Sequence, residues 1–234
     1  MTQNKGVLYL IPTNISDDNF NVIPNYTLSI IETINIFIVE EIKSARKFIK
    51  KISNKNINEI IFTVYNEHNK ITDENYLEPC LKGQNIGLLS ESGTPCIADP
   101  GKDIVLQAHQ LNIKVVPLVG PSSIIMALMS SGLNGQNFAF VGYLPIKKNL
   151  RQKRIKELEY LSYKLNQTQI FIETPYRNQQ LFDDILATCK ENTLLSIASE
   201  ITSKDEYIST KTIKNWKKNY IKIDKKNTIF ILMS

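Results

Sequence analysis

Arginine is scarce in this chain: Arg46, Arg151, Arg154 and Arg177 are the only four of its 28 basic residues, and lysine supplies the rest. The positions of the basic residues therefore say more than their number. A net charge of +5 and a pI near 8.9 permit an RNA or other polyanionic partner without requiring one. Cysteine and histidine are sparser still. Cys80, Cys96 and Cys189 lie far apart, and only His68 and His109 accompany them. No metal-ligand spacing appears, which excludes a zinc site, and an odd, scattered set of cysteines argues for free thiols in a reducing compartment. No run approaches the roughly 18 apolar residues of a membrane helix, and no charged-then-apolar signal opens the sequence, so the expectation is a soluble cytoplasmic protein with no membrane partner. Missing fingerprints exclude further chemistry. There is no G-x-G-x-x-G after the first strand, no G-x-x-x-x-G-K-[ST] and no G-x-S-x-G, so hydride transfer, ATP hydrolysis and triad hydrolysis all lose ground.

What is present is an ordinary globular balance over 234 residues, with 42% hydrophobic and 22% charged residues. Short apolar runs at 6–11, 36–39, 59–64, 85–89, 114–118, 137–141, 168–173, 194–198 and 228–233 predict strands. Helix-period apolar residues fall at 42–52, 104–111, 122–131, 150–163 and 178–190. The alternation predicts an α/β fold with largely parallel sheet in the first half. The Gly/Asn-rich stretch Ser131–Gln136 places a boundary between two α/β domains, 1–136 and 137–234.

Three glycine-punctuated turns carry the candidate chemistry. The first, Ser90-Glu-Ser-Gly-Thr-Pro-Cys-Ile-Ala-Asp-Pro-Gly101, follows a strand; its length favours ligand binding over a plain connection. In Val119-Gly-Pro-Ser-Ser-Ile124 a strand runs straight into a helix, and taken alone Ser122 or Ser123 reads as a helix cap. In the third, Phe138-Ala-Phe-Val-Gly-Tyr-Leu-Pro145 precedes Lys147, Lys148, Arg151, Lys153, Arg154 and Lys156. Helical spacing puts Lys147, Arg151 and Arg154 on one face, which suits either an RNA backbone or a solvated surface.

The series Pro12-Thr13, Glu40-Glu41, Asn66-Glu-His68, Gly93-Thr-Pro-Cys-Ile-Ala-Asp-Pro-Gly101, Gly120-Pro-Ser-Ser123, Gly142-Tyr-Leu-Pro145, Glu173-Thr-Pro-Tyr-Arg177 and Ser199-Glu-Ile-Thr202 resembles the tetrapyrrole (corrin/porphyrin) methylase superfamily, over nearly the whole chain. Within it the likeness is greatest to the ribosomal-RNA small-subunit methyltransferase I branch. The resemblance implies two α/β domains with S-adenosyl-L-methionine in the cleft between them, a homodimer, and 2′-O-methylation of a cytidine in small-subunit ribosomal RNA. Carried over by motif, it assigns cofactor contacts to Pro12, Ser92, Gly93, Ile97, Asp99, Ser122 and Ser123, and to Ile172, Glu173 and Ala198 further on. The candidate RNA contacts, Lys147, Lys148, Arg151 and Arg154, come from the basic stretch after Pro145.

The sequence also departs from that pattern. Where the family reads Pro-Thr-Pro-Ile-Gly-Asn, this chain has Pro12-Thr-Asn-Ile-Ser-Asp17, and Lys226-Asn-Thr228 replaces a basic-Gly-Glu segment. The resemblance is thus stronger in the cofactor half than in the substrate half. Asp99 suits either the cationic end of the cofactor or the cap of the following helix. A ribose hydroxyl gains from a nearby base or cation, and Glu41, His68 and Arg177 are the candidates. His68, in a polar stretch, reads first as a surface residue. Two other functions fit the same residues: methylation of a small tetrapyrrole-like substrate, and a cofactor-binding, RNA-associated protein without catalysis.

Overall fold

Five short apolar strands, β1 (Val7–Ile11), β2 (Ile36–Val39), β3 (Ile61–Val64), β4 (Ile86–Leu89) and β5 (Lys114–Pro117), pair in the order β3-β2-β4-β1-β5. Every pair is parallel, as the alternating pattern predicts. The structure, a computed structural model, describes residues 4–65 and 76–234. The chain divides into two compact units, Met1–Ser122 and Ser123–Ser234.

In the first unit both sheet faces are covered, which is why its strands read as unbroken apolar runs. One face packs Ile11, Phe37, Val39 and Leu89 against α1 (Asn25–Thr33) and α2 (Ile42–Ile52). The other packs Leu8, Ile38 and Leu88 against α3 (Glu78–Leu81) and α4 (Lys102–Gln110). In α2, Ala45, Phe48 and Ile49 recur at helical spacing and are buried, while Lys50 and Lys51 meet the negative end of the helix dipole.

The second unit carries β6 (Phe138–Tyr143), β7 (Thr168–Ile172), β8 (Leu194–Ser199), β9 (Tyr207–Thr212) and β10 (Thr228–Met233), in the order β6-β7-β10-β8-β9. Only the β6–β7 pair is parallel. Helices α6 (Lys148–Leu165), α7 (Asn178–Thr188) and α8 (Ile213–Lys218) cover one face around Ile155, Leu181, Phe182 and Trp216. Helix α5 (Ser123–Ser131) covers the other, where Ile124, Ala127 and Leu128 pack on Ile170, Ala198 and Ile231. This packing corrects the expected boundary at 136/137. The chain changes units before α5, because the apolar face of that helix is buried by the second sheet.

A second correction concerns Arg151. Its side chain is only 4% exposed; its Nε and Nη2 donate to Asp184 Oδ2 at 2.8 and 2.6 Å, and its Nη1 donates to the carbonyl of Ile146 at 2.7 Å. Arg151, Ile155, Leu158 and Ser162 form the inward stripe of α6. Arg151 therefore braces the turn before α6 against α7 and has no surface to offer RNA.

Candidate functional site

Because the first sheet is wholly parallel, the carboxyl ends of its strands share one edge, the place where open α/β sheets bind ligands. Pro12 and Thr13 follow β1, Glu40 and Glu41 follow β2, Ser90 to Gly101 follow β4, and Leu118 to Ser122 follow β5. Three of these loops are knotted together by polar groups and close packing. The Thr13 backbone N–H donates to the Gly93 carbonyl at 2.9 Å, and the Thr13 and Ser90 hydroxyls lie 3.3 Å apart. The buried Ser90 hydroxyl donates to the same Gly93 carbonyl.

Two glycines make the knot possible. Gly93 has φ +76°, and a Cβ there would sit 3.3 Å from the Pro121 carbonyl oxygen. A Cβ on Gly120 would come 2.1 Å from Pro12 Cγ, so the β5 loop packs its bare backbone against the Pro12 ring of the β1 loop. Beyond Gly93, Cys96 and Ala98 adopt left-handed φ of 66° and 61°, each costing about 1 kcal/mol or more. Between them Ile97 stands 52% exposed, an apolar side chain held in water by a strained loop. Strain and exposure of this kind concentrate where a ligand is received.

Asp99 supplies the electrostatics. Its Oδ2 is buried with no hydrogen-bond partner. Burial, with the nearby carboxylates of Glu40 and Glu91 adding to it, pushes its pKa up to about 7. A cation arriving there would favour the ionised carboxylate and release a proton. The motifs of the sequence did not point to Glu40 and Glu91 in this role. Their signal was positional: each stands just beyond the end of a parallel strand.

Beside this edge a cavity of about 240 Å³ is lined by Thr13, Asn14, Asp17, Ser44, Lys47 and Glu91, with Phe20 and Phe48 as its apolar wall. Lys47 pairs with Asp17 at 2.6 Å, and Ser44 donates to Glu91 at 2.7 Å. Glu41, one of the candidate bases, is exposed and accepts from the Lys43 N–H at 2.8 Å as the N-cap of α2. His68 lies outside the described residues. Ser92 is exposed, Ser122 precedes α5, and Ser123 is the first residue of that helix.

In the second unit, Glu173 and Arg177 stand at the end of β7 and in the turn after it. Glu173 Oε1 accepts from Arg177 Nη2 at 2.6 Å and from the Thr174 N–H at 2.7 Å. The Arg177 hydrogen bond holds that guanidinium above its ordinary pKa, and Glu173 Oε2 and Arg177 Nε are buried without partners. Ile172 is half-buried beside them. Ala198 is a correction: it is 0% exposed, packed in the apolar cluster with Ile124 and Ile229, and offers a ligand no surface. Lys147 and Lys148 are exposed, whereas Arg154 pairs with Glu157 at 2.7 Å.

Residues 27–216 match the family model described as Tetrapyrrole (Corrin/Porphyrin) Methylases. A Ribosomal RNA small subunit methyltransferase I from Buchnera aphidicola subsp. Schizaphis graminum is 34% identical over 231 residues, covering 97% of this chain and 78% of the relative. One from Vibrio cholerae is 32% identical over 214 residues, covering 89% and 71%. The chain belongs to the tetrapyrrole methylases, in their ribosomal RNA small subunit methyltransferase I branch. It is therefore a methyltransferase. The crystal structure of the methyltransferase CobJ matches this methylase with a TM-score of 0.64 at 13% identity, covering 98% of this chain and 94% of that one. Uroporphyrin-III-C-methyltransferase from Thermus thermophilus gives 0.57 at 12% identity, with the same coverage. At such identity these two show the fold alone. The family match takes in the strained Gly93–Gly101 loop and leaves out Pro12 to Asp17, the segment where this methylase departs from the family pattern. Among its described residues no helix is long and apolar enough to cross a membrane.

Proposed function

We propose that this methylase transfers the methyl group of S-adenosylmethionine to a ribose 2′-hydroxyl, that of a cytidine, in small-subunit ribosomal RNA, acting as a cytoplasmic homodimer. The observation that carries the cofactor half is Asp99. A buried carboxylate oxygen without a partner, within a glycine-punctuated loop and near the carboxylates of Glu40 and Glu91, fits a ligand with a cationic centre. Gly93, at positive φ against the Pro121 carbonyl, lets the loop take the shape that holds Asp99 there. The RNA half is supported by relatives at 34% and 32% identity named for that substrate.

When bound, S-adenosylmethionine supplies a methyl group already activated by its sulfonium. The acceptor hydroxyl would take that methyl group and give up its proton. The chain's work is then to position the hydroxyl and to receive that proton. Ser92, Gly93, Ile97 and Asp99, with Pro12, Ser122 and Ser123, would hold the cofactor at the first sheet's edge; Ile172 and Glu173 are the remaining proposed cofactor contacts. Glu41, His68 and Arg177 are the proposed proton acceptor or stabilising cation. Lys147, Lys148 and Arg154 would meet RNA phosphates. Labelled methyl transfer to small subunits, to bulk RNA and to a panel of tetrapyrroles tests the assignment. Label is expected in RNA; label in a tetrapyrrole alone would overturn it.

A further inference from the structure

Helix α6 turns Arg151, Ile155, Leu158 and Ser162 inward, so its opposite side is the part of the helix farthest from the core. That outer side repeats Lys153, Lys156, Tyr160, Tyr163 and Lys164, whose three- and four-residue steps make them neighbours on one face. The two tyrosines are 59% and 71% exposed. Each ring carries a lysine ammonium: Lys164 Nζ lies 5.9 Å from the Tyr160 centroid, and Lys190 Nζ lies 5.8 Å from that of Tyr163. Of the two acids within this stretch, Glu157 is engaged by Arg154 at 2.7 Å, and Glu159 is buried, accepting from the Lys190 N–H and the Thr193 hydroxyl.

Two flat aromatic faces in water, interleaved with ammonium groups, match a polyanion that also presents flat rings. We propose that the outer face of α6 is a stacking platform for single-stranded RNA, with unpaired bases on Tyr160 and Tyr163 and phosphates on Lys153, Lys156, Lys164 and Lys190. This rests on the RNA reading above and extends it to residues outside the family motifs. Charge complementarity selects the occupant. An acidic protein would satisfy the lysines but leave the ring faces unused, and duplex RNA keeps its bases stacked inside. Unpaired bases use both features, since every base has a face to stack and the backbone supplies the charge.

The test is fluorescence anisotropy with a short unstructured RNA and with an RNA duplex of equal length, run on the full chain. Replacing both residues, Tyr160→Ala with Tyr163→Ala, is expected to weaken single-strand binding by roughly tenfold or more, with a smaller change for the duplex. Tyr160→Phe with Tyr163→Phe keeps the rings and should retain the affinity. Replacing Lys153 and Lys164 with glutamine should flatten the salt slope by about 0.7 for each phosphate left without its lysine. Thermal unfolding should not move, because these side chains lie in solvent. Wild-type affinity in the double alanine variant would overturn the platform, as would an altered oligomeric state with unchanged RNA binding. If the wild type methylates RNA while the alanine variant binds it equally well, the platform fails and the enzymatic reading stands. If the wild type methylates no RNA yet binds single strands through these tyrosines, the platform stands and the enzymatic reading fails.

Discussion

Buried polar groups are treated in opposite ways in two parts of the molecule. Along the inward face of α6 in the second unit they are paired: Arg151 with Asp184, the carboxylate of Glu159 with the Thr193 hydroxyl and the Lys190 N–H, and the Ser162 hydroxyl with the Ser234 N–H. At the strand ends of the first unit, the carboxylate of Asp99 keeps one buried oxygen without a partner and has two other carboxylates for company. A satisfied polar group fixes architecture. An unsatisfied one within a strained loop stores free energy that a ligand can release, and this contrast sets the α6 frame apart from the Asp99 loop.

The largest effect should come from breaking a pair in the frame. Arg151→Ala leaves Asp184 charged and buried, and is expected to cost roughly 3–5 kcal/mol of stability, read by denaturant unfolding. Adding Asp184→Leu to that variant should recover much of the loss. If Arg151→Ala unfolds like the wild type, the frame-against-site distinction fails at its clearest point.

Asp99→Asn sharpens the other side. The folded-state pKa of Asp99 is raised, so ionising it costs the folded chain: its stabilising contribution is complete below the ordinary carboxylate range and is lost as pH rises to about 7. The variant should therefore show a flatter dependence of melting temperature on pH between that range and neutrality. A cationic ligand prefers the ionised form, so cofactor affinity should rise with pH through about 7 in the wild type. The variant should lose that rise together with roughly 2 kcal/mol of binding. Calorimetric titration across this pH range, giving parallel profiles for the two proteins, would remove Asp99 from the site.

Gly93→Ala tests the loop rather than the charge. A methyl group 3.3 Å from the Pro121 carbonyl oxygen, on a residue with positive φ, should weaken cofactor binding by about 1 kcal/mol or more in a chain that remains folded. Titration calorimetry on the folded variant checks it, and wild-type affinity would make the loop a plain connector. The smallest effect belongs to the surface. Replacing Lys147 and Lys148 with glutamine should leave unfolding unchanged and reduce the salt slope of RNA binding by about 0.7 for each phosphate left without its lysine. An unchanged slope would make these two lysines ordinary solvated residues.

The sequence alone placed nine of the strands close to their observed bounds and set α2 at residues 42–52, because apolar periodicity is a local property. It missed β9, whose Tyr207-Ile-Ser-Thr-Lys-Thr212 is half-buried throughout and forms no apolar run at the sheet edge. It also missed α1, where Thr27 is buried and Tyr26 exposed, so the pattern is blurred. The Gly93–Gly101 loop was legible, since its glycine and proline spacing is itself the signal.

What tertiary structure decided was the company each side chain keeps. Spacing put Arg151 on a face with Lys147, but Asp184, thirty-three residues away, made the Arg151 position an inward one. Periodicity found α5, but the second sheet claimed it for its own unit. The triad of Glu40, Glu91 and Asp99 exists because parallel pairing lines up the ends of β2 and β4, although about fifty residues separate their glutamates in the chain. Local period is written in neighbouring residues and can be read from them. Burial, pairing and pKa depend on which distant residues the fold brings within a few ångströms, and those only the folded chain specifies.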